Sequence, residues 1–170
     1  MSRRPGLPRR PLALTNRHPR LRYAPAELRR ALRLLESRHP QLAAGGPWPP
    51  PEAELSVAFM TDPALAALHA RFMDDPSATD VITFPARPET GSAGEICISA
   101  DAALRQRRAG GPSAELALYL VHGWLHLAGH DDRSPGPRRA MRRAERRALA
   151  LLRRNGALPA FSFRPSARGD

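Results

Sequence analysis

The sequence predicts an α+β domain, in which a small mixed β-sheet packs against helices and a buried central helix carries the most distinctive residues. Three observations predict it. Short runs at 55–60, 81–84 and 96–99 have the alternation or β-branching of strands. Segments after Pro25, Asp62 and Ser134 carry apolar residues at helical spacing. Residues 116–127 are apolar nearly all round, the mark of a helix covered on every side. A few strands mixed with segregated helices suggest an α+β domain.

Each element has a local reason. Ten of the 19 prolines lie in the first 51 residues. Residues 1–22 lack a periodic apolar face and read as a basic, disordered arm. Leu28, Ala31, Leu32 and Leu35 form one helical face from Pro25 onward, and the helix should stop before Pro40. The stretch AAGGPWPPPEA is a loop or linker. After the first strand, Asp62-Pro63 reads as an N-cap and a first-turn proline, with Leu65, Leu68 and Phe72 on one side of a helix to about Met73. The loop DDPSAT leads to the second strand, and a Pro/Gly loop leads to the third. Residues 101–108 suit a short helix. Pro112-Ser113 starts the central helix, and Gly129 suits its C′ position. Ser134-Pro135 starts a last helix that runs to about Asn155 and is closed by Gly156. The single α+β domain is expected over 23–156, with a flexible tail at 157–170. Phe161 and Phe163 in that tail receive no role.

Composition narrows the function. The 170 residues suit one domain, and 42% hydrophobic residues supply a core. No apolar run approaches ~18 residues, so no membrane span is expected. The single Cys97 excludes an intramolecular disulfide and a cysteine-rich zinc finger, and fits a reducing compartment. The twin arginine near the start lacks the apolar stretch of a secretory signal. The net charge of +11 is carried by arginine alone, with no lysine. Residues 1–22 contribute +7 and residues 133–154 contribute +8, whereas 23–132 contribute −5. A mildly acidic body between two basic flanks points to a polyanionic partner, most commonly nucleic acid. In the last helix Arg138, Arg139, Arg142, Arg143, Arg146 and Arg147 fill one half of the wheel, and Ala140, Met141, Ala144, Ala148, Leu151 and Leu152 fill the other.

The chemistry centres on His122-Gly-Trp-Leu-His126-Leu-Ala-Gly129-His130-Asp131-Asp132. His122 and His126 are i and i+4 on a helix, so both imidazoles leave the same face and can reach one metal at ~2.0–2.1 Å. Gly129 lets the chain turn back, and a third ligand can come from His130 or Asp132. Three protein ligands with one open position make a catalytic zinc site. Gly123 stands where zinc peptidases of the HExxH type carry their general-base glutamate, so peptide hydrolysis is disfavoured.

His122-Gly-x-Leu-His126-Leu-x-Gly129-x-Asp131, Thr79-Asp80-Val81-Ile82-Thr83-Phe84-Pro85 and Gly94-Glu95-Ile96-Cys97-Ile98-Ser99 together resemble the three motifs of the YbeY family of metal-dependent endoribonucleases and rRNA maturation factors. Order and spacing match, over roughly residues 54–152. The resemblance implies a single-strand-specific endoribonuclease with one Zn2+ per chain. It would act in the cytoplasm in small-subunit rRNA maturation and ribosome quality control. Its partners would be single-stranded RNA, rRNA and the ribosomal small subunit, with no membrane and no DNA.

Two positions depart from the family. The usual third histidine, ten residues after the first, is Asp132 here. A carboxylate oxygen binds zinc at ~2.0–2.2 Å, giving a more anionic site that could accept another divalent metal. An arginine that the family carries before the Thr-Asp-Val motif is Met73 here. Arg71, two residues away on a helix, points elsewhere. No role is therefore carried over for that arginine. An assembly factor that binds RNA with little nuclease activity is one alternative, and a hydrolase of another substrate is a second. Asp131 suits either support of a ligand histidine or a turn cap. Thr79, Asp80 and Glu95 suit turn and strand-opening chemistry, and Trp124 suits the core.

Overall fold

The main sheet has four strands in the order β1 (Leu12–Asn16), β3 (Glu54–Met60), β5 (Ser92–Ser99) and β4 (Val81–Phe84). The computed structural model describes residues 9–73, 79–106 and 108–166. The first eight residues of the expected arm, most of the DDPSAT loop and the last four residues of the tail lie outside the described residues. β1, β3 and β5 run parallel, and β4 pairs antiparallel with β5, so the sheet is mixed as expected.

Alternation along the strands divides the core in two. Val57, Phe59, Ile96 and Ile98 belong to the larger core, beneath α1 (Pro25–Ser37) and α5 (Gly111–Leu127). Ala58, Met60, Ile82 and Cys97 meet Leu65 of α3 (Asp62–Met73) on the opposite face. Burial first, then the Glu95 carboxylate, push the Cys97 thiol up to about 12, so it stays protonated and is no nucleophile at neutral pH. α1 ends at Ser37, before Pro40 as expected. The chain breaks at Arg38 and restarts as the four-residue α2 (His39–Leu42), where a first-turn proline is tolerated. The Ser99 hydroxyl caps α4 (Ala100–Arg105) by accepting from the Ala102 N–H, and donates to Asp62.

The termini depart from expectation. Residues 12–23 contain two strands where a disordered arm is expected. β1 pairs with β3 from Leu12↔Leu55 to Asn16↔Phe59. β2 (Leu21–Tyr23) pairs antiparallel with β6 (Phe161–Phe163), inside the expected flexible tail. Phe161 packs on Tyr23 and Phe59 with ring centroids 6.0 and 5.4 Å apart. Strands this short carry no legible period, and distant pairing makes them.

Arg10 is also withdrawn from the polyanion-binding flank. It is 6% exposed, and its Nε donates to Glu36 at 2.9 Å. Its Nη atoms donate to the carbonyls of Pro49, Pro50 and Ala53, and its guanidinium lies over Trp48. The proline-rich loop is thereby tied to β1 and α1. Arg10→Ala removes the guanidinium from the Pro49 and Ala53 carbonyls and leaves the partly buried Glu36 carboxylate with the Trp124 Nε1–H at 3.4 Å. It is expected to cost about 3 kcal/mol in chemical denaturation.

The expected helix over 134–155 is α6 (Pro135–Arg154). Met141, Ala144, Ala148 and Leu152 are its buried face. Among the described residues no helix is long and apolar enough to cross a membrane.

Candidate metal centre

α5 lies across the sheet and brings the three sequence motifs into one contact. A Cβ on Gly123 would stand 2.5 Å from Ile96 Cγ2, 3.2 Å from Val81 Cγ1 and 3.4 Å from Thr83 Cγ2. Glycine lets the helix seat directly on β4 and β5, and this turns the neighbouring His122 and His126 outward to the cleft beside α6.

The two imidazoles meet nearly at right angles, with Nε2 atoms 2.9 Å apart. The Asp132 carboxylate lies 3.7 Å from His122 Nε2 and 3.8 Å from His126 Nε2. Ligands arranged tetrahedrally about 2 Å from one ion stand ~3.3 Å apart, so a small adjustment of the three closes them on a single cation. Among the described residues these three side chains form the group able to hold a metal.

Hydrogen bonds fix which nitrogens are offered. His122 Nδ1 donates to Glu145 Oε1 at 2.7 Å, and His126 Nδ1 donates to the His130 carbonyl at 3.1 Å. Both acceptors lack protons, so each Nδ1 carries one and each Nε2 is left for a ligand. Two such lone pairs 2.9 Å apart need a proton or a cation between them. Burial pulls the His122 pKa down, but the hydrogen bond and charge of Glu145, with Asp132 and Asp80, outweigh it and raise the net value. Burial and then the neighbouring His122 lower that of His126. Of the two rings His122 is therefore the more readily protonated, and a cation binding between them competes with that proton.

Of the two candidates for third ligand, the structure brings Asp132 to the histidine pair. His130 is turned away, its Nε2 donating to the Leu42 carbonyl at 2.7 Å. Asp131 makes no hydrogen bond to either histidine of the pair, although its charge reaches His126. Its Oδ1 accepts from the backbone N–H of Asp132 at 2.8 Å and of Arg133 at 3.3 Å, so it caps the turn that presents Asp132. The carboxylate that does support a ligand is Glu145, which sequence reasoning missed. Its signal was available: it is the one acid among the arginines of 133–154, four residues after the buried Met141.

The arginine half of α6 divides in two. Arg138 and Arg142 line a cleft of about 280 Å³ with His122, Asp132, Glu145 and Asp80, and Arg138 Nε donates to the Asp132 carbonyl at 3.0 Å. Arg143, Arg146 and Arg147 line a separate groove of about 490 Å³ with Arg38 and Arg154, over Leu42 and Leu151. Arg139 is exposed and lines neither. Asp80 serves both readings. Its Oδ1 accepts from Val81 N–H at 3.0 Å, and its charge reaches His122. Trp124 is fully buried, as expected of a core residue.

An α+β fold in which two helical histidines and a turn carboxylate able to hold a metal ion meet beside an arginine-lined cleft has the layout of a hydrolase for an anionic substrate. The family model described as Endoribonuclease YbeY matches residues 31–153. The chain belongs to the YbeY family. It is 40% identical over 121 residues to Endoribonuclease YbeY of Chlamydia abortus, covering 65% of this chain and 77% of that protein. It is 38% identical over 137 residues to that of Kineococcus radiotolerans, covering 71% and 79%. The solution structure of TM1509 from Thermotoga maritima superposes with a TM-score of 0.50 at 18% identity, covering 94% of this chain and 99% of that one, a likeness of fold.

Proposed function

We propose that the protein is a zinc-dependent, single-strand-specific endoribonuclease, acting in the cytoplasm in small-subunit rRNA maturation and ribosome quality control. The observation that carries this is the convergence of His122 Nε2, His126 Nε2 and the Asp132 carboxylate beside arginines of α6. The endoribonuclease name carried by its relatives agrees with it.

A divalent ion held there supplies Lewis acidity toward a phosphoryl oxygen and lowers the pKa of water. The chain supplies the rest. Glu145 and the His130 carbonyl keep the Nε2 atoms of the two histidines unprotonated and directed at the ion. Asp131 and Arg138 hold the turn that presents Asp132. Arg142 and Arg138 offset phosphate charge at the cleft, and the outward arginines of α6 follow the strand further along. Gly123 provides no side chain for proton transfer, so no general base stands next to His122 in sequence as it does in HExxH peptidases.

The test is cleavage of a single-stranded rRNA fragment and of a perfect duplex by the purified protein, before and after chelation and with zinc restored. Cutting of the single strand that chelation stops and zinc restores is expected. Metal-replete protein that binds RNA without cutting it would overturn the nuclease reading and favour an assembly factor. Neither binding nor cutting would favour a hydrolase of another substrate.

A further inference from the structure

Along α5, Glu115, Tyr119, His122 and His126 fall at i, i+4, i+7 and i+11, one stripe of the helix. The lower end of this stripe has no part in metal binding. The Glu115 side chain is 5% exposed, and Arg108 Nη1 lies 3.5 Å from its Oε2. Among the described residues Glu115 Oε2 and the Tyr119 hydroxyl are both buried without a well-formed hydrogen bond, and they lie close enough for burial and the Glu115 carboxylate to push the Tyr119 hydroxyl pKa up. A carboxylate is rarely kept there without purpose, because taking its charge out of water costs several kcal/mol. The cation held against it is itself largely exposed, at 63%, and lines the same cleft as Tyr119, His122 and Asp132.

Glu115 precedes His122 by seven residues, about 10 Å along a helix at 1.5 Å per residue. Arg108 thus enters the cleft from the Glu115 end of the stripe, while Arg142 enters it from α6. We infer that Arg108 is a substrate-binding residue: held by Glu115, it takes the phosphate flanking the scissile one on an RNA strand that crosses the metal centre. This rests on the RNA-cleaving reading above. Glu115 is then a positioning residue. Its buried charge limits where the guanidinium can point, and leaves the remaining N–H donors for the phosphate oxygens.

The experiment uses the full-length, zinc-loaded protein and a short single-stranded RNA in which one neutral methylphosphonate linkage is walked along the strand. In the unsubstituted protein one flanking linkage, besides the scissile one, should weaken binding when neutralised. Arg108→Ala should raise Kd and KM about fivefold with kcat within twofold and zinc content unchanged. It should lower the slope of log K against log salt by about 0.7, the contribution of one phosphate on a single strand. The flanking methylphosphonate should then cost nothing further. Arg108→Lys should keep the salt slope and recover part of the affinity. Glu115→Gln should weaken sensitivity at the same linkage. Unchanged Kd and slope in Arg108→Ala, in a protein that still cuts RNA, would overturn this inference and leave the nuclease reading standing. Sensitivity confined to the scissile linkage would overturn the flanking assignment. An unsubstituted protein that neither binds nor cuts RNA overturns both.

Discussion

His126→Ala is expected to leave a folded protein that no longer holds zinc and cuts RNA at least about a thousandfold more slowly. The imidazole is one of the three side chains able to hold the ion, and its Nε2 lies 2.9 Å from that of His122. Removing it leaves a histidine and a carboxylate, too few to retain an ion against a chelator. The fold should be little affected, because the His126 ring is only partly buried and packs outside the main core. Metal analysis beside a denaturation curve checks both halves of this expectation. Two companions sharpen it. His130→Ala should keep its metal, since that side chain points at Leu42. Asp132→Ala should lose it, and Asp132→His should regain it with tighter zinc affinity, because a third imidazole replaces the carboxylate. Metal retained in Asp132→Ala and lost in His130→Ala would overturn the ligand set.

Gly129→Ala is expected to be among the most destabilising single substitutions in the chain, at about 3 kcal/mol. The backbone there has φ +91°, which costs an L-residue roughly 1–2 kcal/mol. The added Cβ would also stand 2.6 Å from the Gly45 carbonyl oxygen. That atom belongs to backbone tied to the same turn by the Ala44 N–H to Ala128 carbonyl bond of 3.1 Å, so neither side can give cheaply. For a chain of this length the melting temperature should fall by roughly 6–12 °C. Zinc affinity should fall too, because the displaced turn carries both the His130 carbonyl and Asp132. Gly45→Ala is the control. It shares a positive φ, but its Cβ would meet nothing within 4 Å, so it should cost only the backbone strain.

What could be read in advance follows from where each signal resides. The helices were legible because their apolar residues repeat: Leu28, Ala31, Leu32 and Leu35 are all buried, as are Met141, Ala144 and Ala148. The histidine pair was legible because i, i+4 spacing is itself geometry. β1, β2 and β6 were not, since Leu12–Asn16 becomes a strand only against β3, and Phe161–Phe163 only against residues some 140 positions earlier. The identity of the third ligand was not legible either. His130 and Asp132 are two residues apart in a turn, and only the carbonyl of Leu42 decides which one turns away. Asp131 looked able to support a histidine, but the free N–H groups of its own turn claimed it. Glu145 does that work from a helix whose arginines drew attention to charge rather than to its single acid. The arginine half-wheel was correct as exposure, but Arg143 and Arg147 drain toward α2 while Arg138 and Arg142 border the metal cleft.

The pairing of β2 with β6 has a consequence for how the protein is made. Leu21 and Tyr23 leave the ribosome early, and their partners Phe161 and Phe163 emerge ~140 residues later. At ordinary synthesis rates of ~5–20 residues per second that is a wait of roughly 7–28 seconds. Throughout it Phe59 and Tyr23 lack the ring of Phe161 that covers them. All three metal ligands and Glu145 are already synthesised before that cover exists. The nascent chain therefore carries all the candidate ligands before it owns a closed core, and the last strand to appear is the clasp that makes β2 native.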